Sequence, residues 1–380
     1  MRKILLATSA LVLASGAAHA ANDLKLEMSG YADFRAGVFN ESDDRNYSNV
    51  AVNRTNKDFE TEVKVVVDAI GKGAGDFEYG ARIGLWNGSN NQDGFNGGED
   101  KIHTQDAYVY MGSNWGRVVL GDHTGASDML VYAPFVGQAQ IDGSFSDFTS
   151  NGTLSPFFPA YVDNEEVSTK ATYYTPVVSG FQLGVSYMPQ FYDYGQNVTK
   201  YNQAVSNIIN GSESPYHDVV EAGAQWQGNV DKFNLTLSGL VTTGDADASY
   251  LAGTTFQDFT SWALGGQVAY AGFTLGGSYY DAGDFLAKVG QNKDQNSWSV
   301  GGTYEFGKAS VGVSYIAAEG YVNNGAIYVE EYTATGVGGE YKWLPGLTTA
   351  ADVVFFNQDA TGLADDNDGD VFLLSQRVDF

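Results

Sequence analysis

The chain has 380 residues and a formal net charge of −26, with 20 Lys+Arg against 46 Asp+Glu, 47 Gly, 7 Pro, no Cys and 14% aromatic residues. That charge excludes a nucleic-acid partner, whose phosphates need a basic face. The lack of Cys excludes disulfide frameworks, thiolate metal sites and cysteine nucleophiles.

Met1, Arg2 and Lys3 precede an apolar run over residues 4–14, and Ala18-His19-Ala20 forms a small-x-small cleavage site. This is the pattern of a secretory signal peptide, residues 1–20, cut before Ala21. The run is too short to span a bilayer, and no later segment approaches 18 consecutive apolar residues. The expected mature chain is therefore residues 21–380, exported from the cytoplasm.

From Leu24 a period of two begins. Leu24, Leu26, Met28, Ala32, Phe34, Ala36 and Val38 alternate with Lys25, Glu27, Ser29, Tyr31, Asp33 and Arg35. Successive strand residues face opposite sides, so the segment has one oily and one wet face. Its 15 residues exceed the roughly 5–6 of a soluble strand and cover the roughly 9–11 needed to cross a bilayer at a tilt.

The pattern recurs at 59–69, 77–85, 107–111, 118–120, 168–175, 181–187, 220–226, 233–241, 262–270, 273–279, 298–304, 311–315, 332–343, 347–355 and 372–380, which makes sixteen segments. Short connections such as Ala271-Gly272 and Leu344-Pro345-Gly346 alternate with long ones rich in Asn, Asp and Gly. All seven prolines fall in turns, loops or strand ends, where a missing ladder donor does no harm. Aromatics such as Trp226, Phe233, Tyr270, Phe273 and Trp343 gather at segment ends, as girdles at the two membrane interfaces do. The predicted fold is all-β: a transmembrane antiparallel barrel of 16 strands with short periplasmic turns and long external loops. A soluble sandwich or solenoid also alternates, but its oily faces would have to meet each other.

Residues 123–167 have no strand period, and a loop of 45 residues is normally functional. Residues 127–131 predict one helical turn with Ser127 as its N-cap, ended near Pro134. The loop carries Asp128, Asp142, Asp147, Asp163, Glu165 and Glu166 and no Lys or Arg. On the predicted inward faces eleven acids stand against eight bases. A narrow channel lined with that excess attracts cations.

His103, His123 and His217 have no second histidine or carboxylate at ligand spacing along the chain, so the sequence gives them no metal or catalytic role. The acidic run at 365–370 lacks the first and twelfth ligands of a calcium loop, having Ala364 and Ser375 there. Solvated acid is the plain reading. A divalent cation on Asp366, Asp368 and Asp370, bridging to lipopolysaccharide, is the alternative.

Taken together, the leader, the sixteen-strand rhythm, the terminal Arg377-Val378-Asp379-Phe380 and the stretch AYVYMGSNWGRVVLG at 107–121 resemble a general diffusion porin of Gram-negative bacteria, of the alphaproteobacterial type. The resemblance covers the whole mature chain. It implies a passive, water-filled, homotrimeric channel in the outer membrane for ions and small hydrophilic solutes, with lipid and lipopolysaccharide around it and no catalytic activity or cofactor. It implies that Phe380 is read by the barrel-assembly machinery. It implies too that the third loop folds into the lumen, where its acids face a basic wall. Carried onto this chain, the wall is Arg35, Lys64, Arg82, Arg117 and Lys170, and the acids are Asp128, Asp142 and Asp147. Ala133-Pro134-Phe135-Val136-Gly137 is similar to a Pro-Glu-Phe-Gly-Gly motif of that loop, without its charge. Small outward residues Ala32, Ala36, Ala69 and Ala81 fit a trimer contact. Two other functions compete: a sugar channel using inward Tyr31, Trp86, Tyr108 and Tyr110, and a barrel-borne hydrolase, for which no Ser-His-Asp set is evident.

Overall fold

The computed structural model describes residues 24–42, 55–87, 102–137, 144–149, 168–191, 216–246, 256–285, 287–290, 295–320, 322–323, 327–362 and 366–380. The predicted leader and Asp142 lie outside the described residues, as do Asp163, Glu165 and Glu166.

All sixteen predicted segments are strands: β1 (Lys25–Glu41), β2 (Lys57–Lys72), β3 (Glu78–Trp86), β4 (His103–Ser113), β5 (Gly116–His123), β6 (Ser168–Tyr174), β7 (Phe181–Gln190), β8 (Tyr216–Val230), β9 (Phe233–Ala246), β10 (Phe259–Tyr270), β11 (Phe273–Asp281), β12 (Asn296–Phe306), β13 (Ala309–Glu319), β14 (Ile327–Leu344), β15 (Leu347–Gly362) and β16 (Asn367–Asp379). The two residues Val322–Asn323 prolong the β13 edge along β14. Each strand pairs antiparallel with its neighbours, and β1 pairs with both β2 and β16, so the barrel closes with no free edge. Closure satisfies backbone groups that lipid cannot. The last residue takes part: Phe380 and Gly30 exchange backbone hydrogen bonds of 2.9 Å in both directions.

Short turns lie at one end and long connections at the other. The two-residue turn between β10 and β11 has Ala271 at φ 52° and Gly272 at φ 87°, both positive as a type I′ hairpin demands. The outward faces carry exposed Phe34, Leu183, Leu237, Leu264, Leu275 and Val313. Aromatic pairs bound this belt. Phe233–Tyr270 and Phe273–Tyr304 pack at 5.1 and 4.1 Å beside the short turns, and Trp262–Tyr279 and Trp298–Tyr315 at 5.3 and 5.1 Å nearer the loops. Trp262 and Tyr270 are eight residues apart on one strand, which is about 26 Å of chain and roughly 20 Å of membrane depth at a 40° tilt.

The inward face is less uniform than the sequence suggests. In the loop-side halves of β8–β16 and β1 it is apolar and buried, with Val219, Leu240, Phe259, Ile316, Val354 and Leu373 among its members. Leu130, Ala133, Phe145 and Phe148 of the third loop complete this core. A wet interior is therefore confined to part of the circumference.

Candidate pore constriction

The third loop leaves β5 and lies against the inner wall. A 3-10 helix spans Gly125–Met129, with Thr124 at the N-cap and no side-chain cap. Ser127 is thus inside the turn and not its cap: its hydroxyl donates back to the Thr124 carbonyl at 2.8 Å. The helix ends at Leu130, whose ψ of 136° is extended.

An extended segment without a strand partner must still satisfy its backbone. Inward serines and glutamines of the wall do this. Ala126 N–H donates to Ser186 Oγ at 2.8 Å, Val131 N–H to Ser238 Oγ at 2.8 Å and Ala133 N–H to Ser299 Oγ at 3.3 Å. Gln225 donates to the Met129 carbonyl at 2.9 Å and Gln267 to the Tyr132 carbonyl at 2.8 Å. Between these anchors the wall is glycine. A Cβ at Gly223 would stand 2.7 Å from Ala126 O, and one at Gly301 2.6 Å from Pro134 O; Gly265 faces Val131 O in the same way. The absence of side chains lets the loop lie flat on β8–β12. It continues past β13 to Asp352 of β15, which touches Gly137. A second 3-10 helix, Ser144–Phe148, packs on β1 and β16, with Phe148 against Gly37 and Leu373.

The loop root is held by a buried pair. Lys170 and Glu221 are fully buried with Nζ 3.7 Å from Oε1, and Lys170 donates to the Thr124 carbonyl at 2.7 Å. Tyr174 adds a 2.5 Å bond to the Gly125 carbonyl. Gly125, at φ 83°, fits here because a Cβ would meet Glu221, Lys170 and Ser186 at 2.7 Å.

Charged side chains gather on the inner faces of β1–β5. Arg35 is buried among acids: it reaches Asp33 at 3.0 Å, Glu60 at 3.4 Å and Glu62 at 2.5 Å. Glu62 also accepts from Tyr31 and, at 2.8 Å, from Trp86 Nε1. Lys64 pairs with Asp106 at 3.3 Å. Arg82 grips Asp68 through two bonds of 2.8 and 3.1 Å. Arg117 lies 3.9 Å above the Tyr110 ring and Arg82 5.8 Å from that of Tyr108. On the loop, Asp128 keeps an accessible surface but is walled in by the surrounding protein, which withdraws its carboxyl from bulk water and, with the Asp106 charge second, raises it above the ordinary range. Asp147 is exposed and acts electrostatically on Glu60.

The predicted residues thus fall into different settings. Lys64, Arg82 and Arg117 share one stretch of wall with Asp106, whose charge reaches Asp128 on the loop. Arg35 is enclosed by its carboxylates, and Lys170 sits behind the loop. Asp106 was missed because the predicted fourth strand began at Ala107, whereas β4 starts at His103; carrying the parity of Tyr108 and Tyr110 back two residues would have placed it inward. Asp366, Asp368 and Asp370 form no three-donor group among the described residues. His123 shares its ring nitrogens with the Gly121 carbonyl and the Thr172 hydroxyl.

The family model described as Gram-negative porin matches residues 7–361. Proteins described as uncharacterized from Rickettsia conorii and Rickettsia prowazekii are each 24% identical, over 94% of this chain and 93% of theirs. Among solved structures, OmpF of Salmonella typhi in complex with daunomycin has a TM-score of 0.62 at 15% identity, covering 94% of this chain and 98% of its own. The anion-selective porin from Comamonas acidovorans has a TM-score of 0.59 at 12% identity, covering 94% and 100%. The trimer form of OmpT from Vibrio cholerae has 0.58 at 13%, with the same coverage. At these identities the likeness is one of fold.

Proposed function

The chain belongs to the Gram-negative porin family, whose members are outer-membrane channels for passive diffusion, and from that premise we propose that this one passes ions and small hydrophilic solutes with a moderate preference for cations. The observation that carries the preference is the pairing of the wall. Arg35, Lys64 and Arg82 are each engaged by wall carboxylates, which leaves Arg117, seated on the Tyr110 ring, as the constriction base without a carboxylate partner among the described residues. The loop then adds Asp128 and Asp147. At 0.15 M salt charges act over about 8 Å, so these groups outweigh the acids of distant loops. The Comamonas porin, anion-selective by its description, has the same fold, which puts selectivity in the lining and not in the barrel. Reversal potentials in a potassium chloride gradient test this, and a potential of the anion-selective sign would overturn it.

The finer parts of the reading rest on the resemblance. They are a homotrimer, contact with lipopolysaccharide, recognition of Phe380 by the assembly machinery, and removal of residues 1–20. Lys64, Arg82, Arg117, Asp106 and Asp128 are the residues to which we assign the constriction. The sugar-channel alternative is weakened by the rings themselves. Arg377 covers one face of Tyr31 at 3.8 Å, and Arg117 covers one face of Tyr110, where a sugar would stack. For a hydrolase, His123 has no carboxylate hydrogen-bonded to orient it.

A further inference from the structure

Outside the lumen, at the loop-side ends of β8 and β9, three side chains with metal-binding atoms meet on the outer surface of the barrel. We propose that His217, Asp218 and Asp245 form a binding site for a divalent cation of borderline softness such as zinc.

The site is built by strand register. His217 and Asp245 are direct cross-strand partners, so their side chains stand side by side on one face. In a regular strand Asp218 would point the other way. Here the pairing passes from His217–Asp245 to Val220–Thr243, so two residues of β8 stand opposite one of β9. This is a bulge, and Asp218 takes the left-handed φ of 51° within it. Tyr216 and Val219 remain in the core while Asp218 joins His217 outside. Across from Asp218 on β7 stands Pro189, between the pairs Met188–Val219 and Gln190–His217. It has no N–H to offer, so the bulge breaks no ladder bond from that residue.

The donor set is mixed and converging. One ligand atom from each residue lies within 4.8 Å of the others. A tetrahedral ion with bonds of about 2.0–2.1 Å needs its ligands about 3.4 Å apart, a closure that rim side chains reach by small χ rotations. Asp218 is already oriented: Tyr187 OH donates to Oδ1 at 2.5 Å, and Oδ2 lies 2.9 Å from His217 Nδ1. An imidazole nitrogen beside two carboxylate oxygens favours zinc, nickel or copper over calcium or magnesium. Among the described residues no Lys or Arg pairs with either aspartate, and His217 is the one basic group in salt-bridge contact. Three protein ligands leave one position open to water. The site was invisible along the sequence because Asp245 is 28 residues from His217 and only the β8–β9 register joins them.

Zinc titration of the purified, detergent-solubilised protein by calorimetry tests the proposal, with His217→Ala and Asp245→Asn beside the wild type. The expected result is one saturable site per chain, weakened at least about tenfold in either variant. Both variants should keep the heat-modifiable mobility of a folded barrel and the wild-type single-channel conductance, since all three side chains face away from the lumen. No saturable binding up to about 1 mM zinc, or equal binding by wild type and both variants, overturns it.

Discussion

Along β8–β12 the inner wall presents serine, glutamine and glycine to a loop that lies flat against it. Along β1–β5 the inner wall presents lysine, arginine, aspartate and tyrosine. Both obey the same alternation, and both turn an oily face to lipid. They differ in what touches the inner face: polypeptide on one side, water and solute on the other. A wall covered by backbone needs small side chains and hydroxyl acceptors for orphan N–H groups. A wall left wet can carry charge, and this one neutralises much of it with neighbouring strands. On the proposed reading the sealed side sets the aperture and the open side its selectivity.

The largest effect should come from the latch that keeps the sealed side sealed. Lys170→Met leaves Glu221 buried without a cation, a class of change that costs about 3–5 kcal/mol. The midpoint of denaturant unfolding in detergent should fall accordingly. Lys170→Met with Glu221→Leu should recover most of the loss, because no buried charge remains. Wild-type stability in the single variant would mean that the pair does not hold the loop root.

Next in size is the glycine track. Gly265→Val with Gly301→Val puts branched side chains where the loop backbone lies, and overpacking of this kind moves backbone. The loop can yield only toward β1–β5, so single-channel conductance should drop by roughly half while the barrel stays folded. Unchanged conductance would show that the loop does not set the aperture.

A third test uses pH. The raised Asp128 carboxyl takes up its proton at a higher pH than an ordinary carboxylate. On acidification from neutrality, cation preference should therefore fall early, through loss of this charge. For stability the sign is opposite, favouring the folded state on acidification. A carboxyl raised by folding contributes most below its unfolded pKa, and that contribution is lost as pH rises through the folded value. Asp128→Asn should abolish the early step in reversal potential; if the step persists, another group is responsible.

The strands were legible because alternation is a local signal, and each of the sixteen segments carries it in its own residues. The length of β4 was less so, and Asp106 was lost with it. The loop's seat was not legible: Gly223, Gly265 and Gly301 read as ordinary strand glycines until the loop is laid on them. Nor was the sorting of Arg35 and Lys170 away from Lys64 and Arg82. All four are inward bases in sequence, and only the folded wall brings Glu60 opposite Arg35 with Glu62 beside it, and reaches Glu221 from Lys170 across the intervening β7. The rim triad failed for the same reason. Parity tells which face a residue is on, but its neighbours on that face belong to other strands.

The smallest effect is also the most discriminating for the open side. If the wall works by pairing, Lys64→Gln should release Asp106 and raise cation preference, and Asp106→Asn should release Lys64 and lower it. Each shift should be on the order of a few millivolts in reversal potential, since one charge changes among many. The double variant removes both members of the 3.3 Å pair and should return close to wild type. Independent charges of opposite sign would sum to the same value, so the salt dependence of the shifts is the reading that separates the two cases. If Lys64 and Asp106 act as independent lumen charges, the single shifts will simply add and fall steeply with salt. A pair holds its field locally, so the double-variant cycle should change little between dilute and concentrated salt.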